Sequence, residues 1–124
     1  MSYNLGTRSL QNLSGVHPDL VSVVKLAITK TTQDFTVIEG IRHINRQREL
    51  VRKGASRTMN SRHLTGHAVD IAPWPVSWEW EEFHPIAEAM KEAAEELGVD
   101  IVWGGDWKSF PDGPHFELDR KTYP

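Results

Sequence analysis

The chain has 124 residues, enough for one domain with a real apolar core. Its 39% hydrophobic and 25% charged content, with a net charge of −3, is that of a soluble globular protein. It has no cysteine, which excludes disulfides and thiolate metal sites, so any metal must rest on histidine and carboxylate.

The first eleven residues lack the apolar core of a signal peptide, and no stretch approaches the roughly 20 apolar residues of a membrane span. The first helix is expected to start near His17. Pro18 suits the first helical position, Asp19 suits the dipole in the first turn, and Leu20, Val23, Val24, Ala27 and Ile28 form an apolar stripe. Phe35 to Glu39 reads as a short strand interrupted by Gly40. Asn45 to Lys53 reads as a short polar helix closed by Gly54, and Ala55 to Thr65 as a loop.

Ala68 to Ala72 is predicted to be a strand. Alternation puts Asp70 on one face with Ala68, while Val69 and Ile71 face the other way. The longest helix is expected from about Ser77 to Leu97, with Trp80, Phe83, Ala87, Met90, Ala94 and Leu97 on its inner side. Gly98 can end it, and Val99 to Trp103 is expected to be a third strand. His115 to Leu118 reads as a fourth, with His115 and Glu117 on one face and Phe116 and Leu118 on the other. The pattern is α+β: a small, mainly antiparallel sheet with helices packed on one side, in a single domain over residues 1–124.

The charge is uneven. Seven basic residues (Arg42, Arg46, Arg48, Arg52, Lys53, Arg57 and Arg62) and one acid, Glu49, fall between positions 42 and 62. Seven Glu and one Lys fall between positions 79 and 96. These are either two solvated helix faces or a positive rim suited to a polyanionic substrate. An isoelectric point near 6 and the lack of a recognition motif argue against nucleic acid.

Two segments carry the chemistry. One runs Ser61-Arg62-His63-Leu64-Thr65-Gly66-His67-Ala68-Val69-Asp70, the other Asp112-Gly113-Pro114-His115-Phe116-Glu117. Two imidazoles and a carboxylate make an open three-ligand zinc site, with a position left for water. A further carboxylate can serve as the base that activates this water. His63 and His67 offer a rival pairing at i, i+4. The helical metalloprotease motif needs a Glu directly after the first His, where Leu64 stands, and Gly66 argues against a helix, so His67 is read as a non-ligand. Asp112 sits before Gly113-Pro114, where a turn can aim it at the metal. Arg42 is either one more exposed arginine or a fixed guanidinium for an oxyanion or a substrate carboxylate. Trp103 and Trp107, flanking Gly104-Gly105-Asp106, either line a substrate groove or end a strand at the core edge. Trp74, Trp78 and Trp80 read mainly as core packing.

Ser61-x-His63-x-x-Gly66-x-Ala68-x-Asp70 resembles the first zinc motif of the D-Ala-D-Ala peptidase family, and Asp112-x-x-His115-x-Glu117 its second. Glu39-Gly40-Ile41-Arg42 with Gln47 resembles the upstream segment that supplies an arginine. The likeness runs from about Phe35 to Leu118. It implies the fold shared with the hedgehog signalling domain. Short length, the missing signal and the Trp103-Gly104-Gly105-Asp106-Trp107 segment look most like the phage L-alanyl-D-glutamate endopeptidase endolysins, which resemble this chain also in having Asp at position 112, where many family members carry Glu.

The resemblance implies zinc on His63, Asp70 and His115, with Asp112 as general base and Arg42 as stabiliser of the tetrahedral intermediate. Ser61 and Gln47, with Trp103 and Trp107, would meet substrate. The expected partner is the peptidoglycan stem peptide, with no nucleic acid, no stable membrane association and a monomeric enzyme. The protein would be made in the host cytoplasm and reach the wall through a separate pore. Two rivals share the zinc set: a D-Ala-D-Ala dipeptidase or carboxypeptidase, and a non-catalytic zinc-bearing binding module. Retention of both Asp112 and Arg42 favours an enzyme.

Overall fold

A computed structural model describes residues 2–56 and 58–124; Met1 and Arg57, the latter one of the basic run, lie outside the described residues. Among the described residues, four helices and four strands follow in chain order: α1 (Thr7–Asn12), α2 (Pro18–Lys30), β1 (Phe35–Glu39), α3 (Ile44–Arg52), β2 (Ala68–Pro73), α4 (Trp80–Leu97), β3 (Ile101–Trp103) and β4 (His115–Leu118). Short 3-10 turns occupy Arg62–Thr65 and Gly104–Asp106. The strands form one antiparallel sheet in the order β1-β2-β4-β3.

Alternation sorts this sheet into two faces. Phe35, Val37, Val69, Ile71, Phe116 and Leu118 point into the core, where α2 supplies Leu20, Val23, Val24, Ala27 and Ile28. From α4 come Phe83, Ile86, Ala87, Met90, Ala93 and Ala94. Trp80 and Leu97, expected on the inner side of α4, are each 44% exposed, because they sit at the two ends of the helix, beyond its packed middle. On the opposite face of the sheet, Asp70 pairs with His115, and Ala68 with Glu117.

Differences from the sequence reading have local causes. α4 starts at Trp80, not Ser77; the Ser77 hydroxyl instead accepts the Glu79 N–H in the preceding turn. β3 begins at Ile101, not Val99, because Val99 N–H closes α4 on Ala94 O, with Gly98 left-handed at φ 68°. The unforeseen α1 lies along the free edge of β1. Ser9 Oγ accepts the Val37 N–H (3.0 Å) and Asn12 Nδ2 donates to Val37 O (2.8 Å), which satisfies backbone groups that an edge strand leaves open. α3 borders a cleft on the polar face of the sheet, away from α2 and α4.

Candidate active site

Three segments bring the candidate ligands together. Ser61 caps the 3-10 turn by accepting His63 N–H, and Gly66, left-handed at φ 76°, ends it. A side chain at Gly66 would run into the Gly15 carbonyl, so this turn takes glycine for both space and conformation. The turn presents His63, β2 presents Asp70 and β4 presents His115. His63 Nε2 stands 3.3 Å from Asp70 Oδ1, and His115 Nδ1 stands 3.5 Å from the same oxygen. One ligand atom from each of the three residues lies within 4.8 Å of the other two.

The protonation states follow from the far sides of the rings. His63 Nδ1 is 2.9 Å from Gly40 O, a pure acceptor, so in the neutral ring Nδ1 carries the proton and Nε2 is a lone pair. That lone pair faces the Asp70 carboxylate, and both His63 Nε2 and Asp70 Oδ1 are buried without a hydrogen-bond partner. Two electron-rich atoms left facing each other in a buried site are costly on their own. A cation between them removes the cost, so the three side chains fit a metal ion. Burial pushes the Asp70 carboxyl up, but His115 and His63 beside it hold it well below the ordinary range.

Arg42 leaves the end of β1 and is almost fully committed. Nε donates to Glu39 Oε1 (2.6 Å), Nη1 to Gln47 Oε1 (2.7 Å), and Nη2 pairs with Glu39 and lies 3.5 Å from Asp70 Oδ2. Gln47, on α3, is fully buried. Its Nε2 donates to Ser56 Oγ and Thr58 O, so its whole amide ties Arg42 to Ser56 and Thr58 and none of it faces the cleft.

Asp112 lines the same cleft as the three candidate ligands and Arg42. Its carbonyl accepts His115 N–H across the Gly113-Pro114 turn, and its N–H donates to Gly104 O. Burial raises the Asp112 pKa, and the nearby Asp70 charge adds to this. Gly104 packs so closely that a Cβ there would lie 2.5 Å from Asp112 O and 3.0 Å from His115 Cβ.

Trp107 stands over the site, its ring 5.1 Å from that of His115, and Ser61 also borders the cleft. Trp103, expected to contact substrate, is turned into the core. Its Nε1 donates to Gly113 O, and it stacks on Trp80 and Phe116. His67 stays apart from the ligands and contacts His17 and Thr65. The basic run divides. Arg62 is buried in the cleft wall, with Nη2 donating to Leu118 O and Tyr123 O, whereas Arg46 on α3 is exposed at the cleft rim. The cleft as a whole holds about 890 Å³.

Comparison with known proteins gives a consistent picture. A model of the phage L-alanyl-D-glutamate peptidase family matches residues 1–124. The L-alanyl-D-glutamate peptidase of Escherichia phage T5 is 33% identical over 130 residues, which span 99% of this chain and 94% of that protein. The peptidoglycan L-alanyl-D-glutamate endopeptidase CwlK of Bacillus subtilis is 29% identical over 85% of this chain and 74% of its own length. The crystal structure of the Serratia marcescens L-Ala D-Glu endopeptidase ChiX superposes with a TM-score of 0.94 at 51% identity, covering 99% of this chain and 95% of that one.

Proposed function

Because the chain belongs to the phage L-alanyl-D-glutamate peptidase family, we propose that this peptidoglycan-cleaving endopeptidase is a zinc enzyme that cuts the L-alanyl–D-glutamate bond of the stem peptide in host cell lysis. The observation that carries the metal reading is the pair of partnerless buried atoms, His63 Nε2 and Asp70 Oδ1. The spacing of the two histidine nitrogens from Asp70 Oδ1 suits a small tetrahedral ion such as zinc. Two donors each about 2.0–2.1 Å from a tetrahedral ion stand about 3.3–3.4 Å apart, against 3.3 and 3.5 Å here. Two imidazoles and one carboxylate also form a borderline-soft, three-donor set with one position open.

Zinc, when bound, supplies a Lewis acid and lowers the pKa of a water in the site. The chain does the rest. Asp112, its basicity raised by burial, takes the proton from the attacking water and passes it to the leaving amine of D-glutamate as the C–N bond breaks. Arg42, held rigid by Glu39 and Gln47, offers positive charge to the carbonyl oxygen of L-alanine as it becomes an oxyanion. Trp107 and Ser61 border the substrate path. We place the enzyme, as a monomer, in the host cytoplasm until a separate pore admits it to the wall.

Mass spectrometry of digested peptidoglycan tests this reading. The expected products carry a new N-terminal D-glutamate. Release of free D-alanine or D-Ala-D-Ala instead would assign the chain to dipeptidase or carboxypeptidase chemistry.

A further inference from the structure

Glu117 is a buried carboxylate that neither the ligand set nor the proton transfer uses. It follows His115 by two residues on β4, so the pleat puts both on the same face of the sheet. Its cross-strand neighbours are Ala68 and Val102, which offer no polar side chain. Its polar contacts are His115 Nε2, 2.8 Å from Oε1, and Arg120 Nε, 3.7 Å from Oε2. A carboxylate in this place is expensive unless a donor meets it.

The contact decides which nitrogen of His115 is free. An ionised carboxylate only accepts, so in the neutral ring, the form that binds a metal, Nε2 keeps its proton and Nδ1 is the lone pair. Nδ1 is the nitrogen turned toward Asp70 Oδ1. His63 shows the opposite choice: Gly40 O takes the Nδ1 proton, and Nε2 faces Asp70. Each ring is set by an acceptor on its far side, one a backbone carbonyl and the other a charged side chain.

We propose that Glu117 is a positioning residue that selects Nδ1 of His115 as the metal-binding nitrogen and locks the ring in that orientation. This rests on reading His63, Asp70 and His115 as the ligands. An acceptor behind a ligating imidazole fixes its tautomer and raises its basicity, and loss of such a partner typically weakens metal binding about 10–100-fold. Glutamine at position 117 keeps an oxygen that can accept the Nε2 proton but loses the charge. Alanine loses both.

The test measures zinc affinity by chelator competition, with 1H–15N spectra of the zinc-loaded protein. In the wild type, His115 should show an Nε2–H protected from exchange. E117A should bind zinc about 10–100-fold more weakly and lose that protection, and E117Q should keep it with a smaller loss of affinity. A merely structural role would lower the melting temperature of the metal-free chain and leave zinc affinity unchanged. Zinc affinity of E117A within about twofold of wild type overturns the proposal. So does a wild-type His115 that carries its proton on Nδ1. If E117A does not fold, E117Q decides: a protected Nε2–H supports the proposal, and ligation through Nε2 overturns it. A wild-type chain that takes up no zinc would sink the metal reading itself. Tight wild-type binding with an unaffected E117A sinks only the role of Glu117.

Discussion

His63 Nε2 and Asp70 Oδ1 face each other at 3.3 Å, both buried and both without a hydrogen bond. The Gly40 carbonyl creates this arrangement, because it takes the one proton of His63 at Nδ1. A site built this way can hold a cation. His63→Ala should therefore leave the far-UV circular dichroism intact and reduce the zinc content of the dialysed protein from about one ion per chain to near zero. Stoichiometric zinc in that variant would remove His63 from the ligand set.

Asp112 should separate binding from chemistry. Asp112→Asn keeps the size of the side chain but cannot take a proton, so kcat should fall about 10²–10⁴-fold with zinc still bound. Full lysis of permeabilised cells by the variant would exclude Asp112 as the base.

The guanidinium of Arg42 is held by Glu39 and Gln47 and lies beside Asp70. Lysine has no planar fork to reproduce these contacts. Arg42→Lys is expected to lower kcat about 10²-fold or more with little change in melting temperature. Gln47→Ala acts one step further back, leaving Arg42 Nη1 and Ser56 without their partner, and should cost about 1–3 kcal/mol of stability in urea unfolding. A Gln47→Ala variant that lost substrate affinity while keeping its stability would mean that Gln47 meets substrate directly.

The metal-free protein should have an unusual pH profile. Burial opposes a charge on His115, but Asp70 and Glu117 outweigh it and raise its pKa to about 9. The folded value lies above the free-histidine value of 6.5, so the stabilisation is complete below about pH 6.5 and is lost as pH rises through about 9. Asp70 runs the other way: its contribution is present above about pH 4 and is lost on acidification. Stability of the chelator-treated chain should thus fall from pH 6.5 to 9, by on the order of 1–3 kcal/mol. Zinc needs the neutral ring, so its apparent affinity should rise over the same range, by up to about tenfold per pH unit. A metal-free melting temperature that climbs between these values would contradict the geometry around His115.

Gly104 has no side chain because Asp112 and His115 occupy the space. Gly104→Ala should push the Asp112 turn aside and lower activity more than it lowers stability. Kinetics beside thermal unfolding of the same preparation would show whether the two losses separate.

How far the site was legible in the sequence depends on the range of each interaction. The strands over Phe35–Glu39 and His115–Leu118 stand where alternation put them, and alternation also placed Asp70 and His115 on one face. That placement is a local property of the pleat. α1 was missed because six residues carry too little helical signal, and its reason for existing is the edge of β1, some 25 positions away. Trp103 and Trp107 were read together because they flank one turn. They part because Trp103 still belongs to β3 and follows its inward alternation, whereas Trp107 comes after the turn. The partners of Gln47 and of the Gly40 carbonyl are tertiary, and no spacing rule reveals them. Glu117 did leave a trace, its shared face with His115, but the pattern gave that trace no role.

Arg62 stands next to His63 and grips the last strand and the tail, through Leu118 O and Tyr123 O, while the Tyr123 hydroxyl reaches Asp19 on α2. The C-terminal tail is thus a buckle on the segment that carries His63. A purification tag or wall-targeting module joined close to Tyr123 would pull on that buckle, and trimming the tail would undo it. A fusion enzyme built on this chain is better extended from its N-terminal side, or through a long Gly/Ser spacer after Pro124.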